Sequence, residues 1–283
     1  MTRARQVAAP LLALLAAALC VVLLCPAAAL AAEEASAGET TTVAAGGGET
    51  SQASPDVEGG VGVEGGGGIV GPAQRPQLLL IHGGSFLYDD PTFEPLTRAR
   101  AVAAGFVPHY VTYPLGNLPA AVDKVREEAR RLREKFGRDR VYAYGSSAGG
   151  TLAALLSGDG LVAAAVAKAP VSDLATWEWP IAKYGTEYWE GLGVDLADRQ
   201  RLSPAARRQL EPLLIIQGRA DHVVPPAMNE AFAARFKRVN LWLVAGGHTT
   251  ERVRPFLITR AMNWLARIAA QNETASRKAA AGR

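Results

Sequence analysis

Short apolar segments alternate with stretches of helical periodicity throughout residues 76–270. The apolar segments, which we predict to be strands, lie at 77–81, 106–113, 140–144, 161–167, 213–217 and 240–244. The helical stretches lie at 117–136, 147–156, 227–236 and 250–268. Apolar strands that alternate with helices are typical of a parallel sheet whose two faces are both covered. The sequence therefore predicts an α/β fold with a mostly parallel sheet of about six strands.

One segment interrupts this alternation. Residues 176–208, between the fourth and fifth predicted strands, have no clear period and are rich in aromatic residues. These are Trp177, Trp179, Tyr184, Tyr188 and Trp189. We interpret the segment as an insertion into the sheet-and-helix body.

The N-terminus has the composition of an export signal. Arg3 and Arg5 precede a long uncharged run rich in Leu and Ala, and Ala29 and Ala31 offer the small residues that a signal peptidase reads. We predict a signal peptide at residues 1–31, and hence a secreted or extracytoplasmic protein. An uncleaved membrane anchor is the alternative, since the run is long enough to span a bilayer. In that case the membrane contact is limited to this segment.

Residues 32–75 differ in composition from the body. Up to Gln74 the segment contains seven acidic residues, no basic residue and no aromatic one, and it is rich in glycine. Such a sequence cannot bury enough apolar surface to offset its ordering entropy. We predict an acidic, Gly-rich flexible linker, in which spaced valines could form weak edge strands. Residues 271–283 are predicted to be a disordered tail.

Charge and cysteine content exclude several classes of protein. Without Arg3 and Arg5, 28 basic residues face 27 acidic ones, so no nucleic-acid partner is expected. Both cysteines, Cys20 and Cys25, lie in the predicted signal peptide, so the body has no disulfide framework. No cluster of His, Asp and Glu has the spacing of metal ligands. We therefore predict no metal and no cofactor.

Residues 145–149 read Gly-Ser-Ser-Ala-Gly, which fits the pattern G-x-S-x-G with Ser147 at its centre. The pattern lies between a predicted strand and a predicted helix, which is the context that a nucleophilic serine requires. Gly145 and Gly149 leave room for a tight turn that projects the hydroxyl. The following helix directs its N-terminal amides toward developing negative charge. We predict that Ser147 is a nucleophile.

The tripeptide His82-Gly83-Gly84 directly follows the first predicted strand. Glycines at this point let backbone amides approach a substrate oxygen, and together with the amide of Ala148 they would form an oxyanion hole. His82 precedes the serine in the chain, where this arrangement does not place its base. We therefore interpret His82 as structural.

Two further residues follow the last two predicted strands. Asp221 comes after the fifth strand and His248 after the sixth, so the chain order is Ser147, Asp221, His248. His248 would accept the proton of Ser147, and Asp221 would orient the imidazole.

Three other residues could compete for these roles. His222 could be the base and Asp173 the acid, although neither is favoured. His109 lies within a strand, where we expect a structural histidine.

These motifs resemble those of the α/β-hydrolase superfamily, in particular the acetyl-esterase-like branch of esterases and lipases with an HGG oxyanion motif. The resemblance covers about residues 76–270. It implies a serine esterase that works through an acyl-enzyme on a small ester, with Ser147, Asp221 and His248 as triad. It also implies that the amides of Gly83, Gly84 and Ala148 are the oxyanion donors.

The resemblance further implies that residues 176–208 form a small cap over the nucleophile. Ser85, Trp177, Trp179 and Tyr184 are then candidates for substrate binding. The family usually has a β-hairpin before the first strand of this body, and here the Gly-rich segment takes its place. A serine peptidase or amide hydrolase on the same scaffold is an alternative function. A catalytically inactive surface-binding homologue is another.

Overall fold

The computed structural model describes residues 75–250 and 254–282. All of them lie within one compact unit, Val70–Arg283. The predicted signal peptide and all of the predicted linker except Arg75 lie outside the described residues. Signal peptide, anchor and linker therefore stay predictions.

Six strands form a single parallel sheet in the order β2-β1-β3-β4-β5-β6. They are β1 Gln77–Ile81, β2 Val107–Val111, β3 Val141–Ser146, β4 Ala164–Lys168, β5 Leu213–Gly218 and β6 Val239–Val244. The four inner strands are almost wholly buried, which agrees with their apolar composition. The predicted fold class is confirmed.

Eight α-helices connect and cover these strands in the described part of the chain. They are α1 Phe93–Ala103, α2 Leu118–Phe136, α3 Ala148–Gly158, α4 Trp179–Tyr184, α5 Tyr188–Gly191, α6 Leu196–Leu202, α7 Pro226–Ala234 and α8 Phe256–Ala281. Alternate strand residues point to opposite faces. Leu79 and Ile215 pack with α2, α3 and α7, whereas Leu80 and Leu214 pack with α1 and α8.

The longest helix of the first face illustrates how local sequence sets its bounds. The side chain of Asn117 accepts a hydrogen bond from the amide of Ala120 (2.9 Å), which caps the first turn of α2. The helix ends before Gly137, whose φ of 91° favours glycine. Between these ends an apolar stripe that includes Val125 and Leu132 is fully buried. The observed helix lies within the predicted stretch 117–136.

The C-terminal tail differs from the prediction. Residues 271–281, expected to be disordered, continue helix α8 as far as Ala281. The side-chain amide of Asn272 donates to the hydroxyl of Tyr142 (3.0 Å), and Arg277 pairs with Glu273 one turn away (2.7 Å). Ala, Lys, Arg and Glu are also strong helix formers, so a lack of large apolar residues did not prevent a helix here.

Four further helices were not predicted. Helix α1 connects β1 to β2 and buries Phe93, Thr97 and Ala101. The insertion 176–208 contains the three short helices α4, α5 and α6 rather than an irregular chain. Within the described residues, no helix is both long and apolar enough to cross a membrane.

Candidate active site

The carboxyl ends of all six strands lie at one edge of the sheet, because the strands are parallel. His82 directly follows β1, and Ser147 directly follows β3. Asp221 and His248 lie in the loops that follow β5 and β6. Residues far apart in the chain therefore meet at this edge, as is usual for active sites in open parallel sheets.

The turn from β3 to α3 holds Ser147 in a strained conformation. Its φ of 55° and ψ of −117° are rare for a residue with a side chain. A Cβ atom on Gly145 would overlap the carbonyl oxygen of Gly149, and one on Gly149 would overlap that of Ile81. Both glycines are thus required by close backbone approach. The strained serine between strand and helix is the arrangement that the sequence predicted.

Ser147, His248 and Asp221 form a continuous hydrogen-bonded chain. The Oγ atom of Ser147 lies 2.8 Å from Nε2 of His248, and Nδ1 of His248 lies 2.8 Å from Oδ2 of Asp221. Since a carboxylate only accepts, the Nδ1–H group donates to Asp221, and the hydroxyl of Ser147 donates to Nε2. Ser147 and His248 are half-buried, whereas Asp221 is 3% exposed.

Hydrogen bonds keep the buried carboxyl of Asp221 ionised. Burial by itself raises the pKa of Asp221. The hydrogen bond and charge of His248, together with the amides of Val224 and Val223, outweigh burial and leave the pKa below its ordinary value. Both amides donate to Oδ1 at 2.9 Å. A charged Asp221 is what a neighbouring imidazole needs in order to accept a proton.

Two residues that the sequence analysis missed support this carboxylate. The side-chain amide of Gln217 donates to Oδ2 of Asp221 (3.0 Å), and its carbonyl oxygen accepts from Asn229 (2.7 Å). Both side chains are fully buried. The sequence feature that could have pointed to Gln217 is its position as a polar residue near the end of the otherwise apolar strand β5.

The three competing residues lie outside this chain of hydrogen bonds. His222 is exposed. The Oδ1 atom of Asp173 accepts from the amide of Ala175 (3.0 Å) and from Ser203 (3.4 Å). His109 lies in β2, where Nε2 is 2.8 Å from the side-chain oxygen of Gln77, and burial lowers its pKa.

The segment from His82 to Tyr88, here called the oxyanion loop after the role predicted for its glycines, lies next to Ser147. A Cβ atom on Gly83 would be 3.3 Å from that of Ser147. The ring of His82 is buried and stacks on Tyr113 at 4.2 Å, and the Tyr113 hydroxyl donates to the His82 carbonyl (3.0 Å). Ser85 and Phe86 then follow with φ values of 53° and 60°.

The predicted substrate-binding residues fall into two groups. Trp179 and Tyr184 are partly exposed and contact each other edge to face, with ring centroids 5.7 Å apart. Ser85 and Trp177 are buried. Trp177 is only 2% exposed because it packs among other rings of the insertion, so it has no surface to offer a substrate and the prediction for it is wrong.

In residues 75–250 and 254–282, no group of three or more His, Cys, Asp or Glu side chains is placed to hold a metal ion.

One model of a known protein family matches part of the chain. The model of the prolyl oligopeptidase family matches residues 123–253, a stretch that contains Ser147, Asp221 and His248 but not the oxyanion loop. No curated protein sequence matches the chain significantly.

Solved structures resemble the fold at low identity. Esterase 2 of Thermogutta terrifontis, phosphoramylated by tabun, has a TM-score of 0.60 and 21% identity over 71% of this chain and 86% of its own. The same esterase with butyrate bound has a TM-score of 0.58 and 22% identity, covering 70% and 84%. A bifunctional GH43-CE protein of Bacteroides eggerthii has a TM-score of 0.59 and 17% identity, covering 70% and 34%.

Fold and site together define the class of this protein by its architecture, which is an α/β-hydrolase fold with hydrogen-bonded Ser147, His248 and Asp221 at the carboxyl edge of the sheet. The predicted fold is thus confirmed, and membership of the superfamily stays a prediction. The narrower resemblance to the HGG-type, acetyl-esterase-like branch stays a prediction.

Proposed function

We propose that this protein is a secreted serine hydrolase that cleaves small or short-chain carboxylic esters through an acyl-enzyme. The observation that carries the proposal is the unbroken hydrogen-bonded chain from Ser147 through His248 to Asp221, with both heavy-atom distances at 2.8 Å. A histidine nitrogen within hydrogen-bond reach of a serine hydroxyl, with a carboxylate within reach of that histidine, supports the roles of nucleophile, base and orienting acid.

In the first half of the reaction, Ser147 Oγ attacks the acyl carbonyl carbon while its proton moves to His248 Nε2. The resulting imidazolium is stabilised by the ionised Asp221. The carbonyl oxygen becomes an oxyanion, and we assign its donors to the backbone amides of Gly83, Gly84 and Ala148. The amide of Ala148 belongs to the first turn of α3, where amides have no partner within the helix.

In the second half, the tetrahedral intermediate collapses and the bond to the alcohol oxygen breaks. The alcohol leaves with the proton from His248, and the acyl group stays on Ser147 as an ester. His248 then accepts a proton from water as that water attacks the acyl carbon. A second collapse releases the carboxylic acid and returns the proton to Ser147. The reaction needs no cofactor.

The preference for esters rests on the structural neighbours. Thermogutta esterase 2 is described as an esterase, and butyrate and propionate occupy it in two of its structures. Trp179 and Tyr184, which are partly exposed, are our candidates to contact a small acyl or alcohol group. Ser85, which lies within the oxyanion loop and is 7% exposed, is the third candidate.

A serine peptidase is the second candidate function. The match of residues 123–253 to the prolyl oligopeptidase family favours it. An amide hydrolase, or an inactive homologue that binds at a surface, would fit the same scaffold.

The test combines labelling with substrate comparison. Fluorophosphonate labelling of residues 32–283, followed by mass spectrometry, should place the label on Ser147, and Ser147→Ala should not label. Rates on p-nitrophenyl acetate and butyrate are then compared with rates on aminoacyl p-nitroanilides. Faster anilide cleavage would identify a peptidase instead. A folded protein that takes no label would be an inactive homologue.

Secretion is tested separately. N-terminal sequencing of the exported chain should begin at Ala32 if residues 1–31 are removed. A membrane-bound chain that retains Met1 or Thr2 would indicate an anchor.

A further inference from the structure

Three of the five aromatic residues of the insertion fill the interior of the molecule rather than an open pocket. Trp177, Tyr188 and Trp189 are each at most 5% exposed. Their ring centroids are 4.9 to 6.3 Å apart, and all three pairs are edge to face. Such contacts between rings are favourable beyond the area that they bury. We call these three side chains the aromatic cluster.

Two polar atoms of the aromatic cluster contact backbone on opposite sides of the active site. The Tyr188 hydroxyl donates to the carbonyl oxygen of Ser85 (2.8 Å), in the oxyanion loop. The indole Nε1 of Trp177 donates to the carbonyl oxygen of Val223 (2.7 Å), in the loop that carries Asp221. The two donors belong to rings that pack against each other. One rigid cluster therefore connects both loops.

Each of the contacted positions has a direct relation to the reaction. Ser85 and Phe86 have consecutive positive φ values next to Gly83 and Gly84, so this loop needs support to keep its shape. The amide of Val223 donates to Oδ1 of Asp221 (2.9 Å), so movement of Val223 would move a hydrogen bond of the catalytic carboxylate.

The hydroxyl of Tyr188 is suited to a permanent contact. Burial raises the pKa of Tyr188 well above its ordinary value, so the hydroxyl stays protonated and donates at all working pH values. The acceptor, the Ser85 carbonyl, belongs to a buried residue. A buried carbonyl that loses its partner favours rearrangement of the backbone around it.

We infer that Tyr188 and Trp177 are positioning residues, through which the aromatic cluster keeps the oxyanion donors and Asp221 aligned across Ser147. This inference rests on the proposed hydrolytic function of the same site. It assigns the buried part of the insertion a role in the chemical step. The partly exposed Trp179 and Tyr184 stay candidates for substrate contact.

The key variant is Tyr188→Phe, which keeps the ring and removes only the hydroxyl. We expect kcat for p-nitrophenyl butyrate to fall about 10-fold with KM changed less than about twofold, since small misplacement of catalytic groups slows chemistry strongly. Trp177→Phe, which removes the donor on the other side, should also lower kcat. Because the two rings are in contact, the effects in the double variant should not multiply.

The matched control is Tyr142→Phe. Tyr142 is also buried and its hydroxyl donates to a backbone carbonyl, that of Asp139 (2.9 Å), but at the amino-terminal edge of the sheet. The Tyr142→Phe variant should lose about as much stability as Tyr188→Phe, measured by Tm, and should keep the kcat of the wild type. A kcat of Tyr188→Phe within twofold of this control would overturn the inference. A rise in KM with unchanged kcat would also overturn it, because that pattern indicates a substrate-binding lid.

The rate of fluorophosphonate labelling separates failure of this inference from failure of the proposed function. A wild type that labels at Ser147 but does not cleave esters refutes only the ester preference, and slower labelling of Tyr188→Phe would still support positioning. Equal labelling rates would refute positioning. A folded wild type that neither cleaves esters nor labels refutes both.

Discussion

The two edges of the sheet differ in how their residues are held. At the carboxyl-terminal edge, four non-glycine residues have positive φ, namely Ser85, Phe86, Ser147 and Ala169. At the amino-terminal edge, no non-glycine residue of the described ranges has such a conformation. There, surface ion pairs such as Arg238–Glu211 and the contact of Tyr142 with Asn272 join the elements.

This difference locates strain and buried charge where the proposed chemistry requires them. A strained turn and an ionised buried carboxylate each destabilise the fold unless their surroundings compensate. The hydrogen bonds to Asp221 from His248, Gln217, Val223 and Val224 supply that compensation. Substitutions of the residues that hold Ser147 and Asp221 at the carboxyl-terminal edge should therefore change activity, and those at the amino-terminal edge should change stability alone.

The largest effect is expected for the nucleophile. Ser147→Ala should lower kcat for p-nitrophenyl esters by about 10⁴–10⁶-fold, as in related triads, because no acyl-enzyme can form. Steady-state kinetics of the purified variant would measure this loss of kcat. A variant that keeps near-normal turnover would contradict the mechanism.

His248→Ala should have an effect of similar size, because Ser147 would lose the group that accepts its proton. His222→Ala is the matched control, since His222 is an exposed histidine that neighbours Asp221 in sequence. The control should keep almost full activity in the same assay. Equal losses in both variants would mean that the base is misassigned.

Asp221→Asn should lower kcat by about 10⁴-fold, because the amide selects the wrong tautomer of the imidazole. The pKa of Asp221 is lowered in the folded protein, so its ionised form stabilises the fold above the pKa of the unfolded chain. That stabilisation is lost as the pH falls through the lowered pKa of the folded state. Chemical denaturation between pH 3 and pH 7 should show less acid destabilisation in Asp221→Asn than in the wild type.

Gln217→Leu tests the support of the carboxylate. The change removes the donor to Asp221 and leaves the side-chain amide of Asn229 without its acceptor at Gln217, although Asn229 also donates to Pro170 (3.0 Å). The free energy of unfolding should fall by about 1–3 kcal/mol, and kcat should fall with it. Urea titration would measure the free energy of unfolding, and ester assays on the same sample would measure kcat. An unchanged kcat would show that the amides of Val223 and Val224 are enough to hold Asp221 in place without Gln217.

The smallest effect is expected at the other edge. Asn272→Ala removes the hydrogen bond to Tyr142 and should cost about 1 kcal/mol of stability with kcat unchanged. Differential scanning calorimetry would measure the loss of stability, and the ester assay would measure kcat. A loss of activity without a loss of stability would refute the contrast between the two edges.

Much of the fold could be read from the sequence because its signals are local. The apolar strands, the periodic helix α2 and the Gly-Ser-Ser-Ala-Gly turn each depend on residues within a few positions of one another. The tail of α8 was mispredicted because its support comes partly from Tyr142, far away in the chain. Trp177 was misassigned for a similar reason. An aromatic residue in an insertion can be buried or exposed, and the neighbouring sequence does not distinguish the two cases.

The sequence by itself therefore determined the tight turn around Ser147, because backbone strain and glycine packing restrict which residues can occupy such a turn. It also determined the chain order of Ser147, Asp221 and His248. Only the tertiary structure decided which carboxylate meets which histidine, and which aromatic side chains connect the loops. The contacts of Ser147 with His248 and of Tyr188 with Ser85 span 101 and 103 residues. Contacts at such separations depend on how the sheet orders its strands, and no local pattern of residues records them.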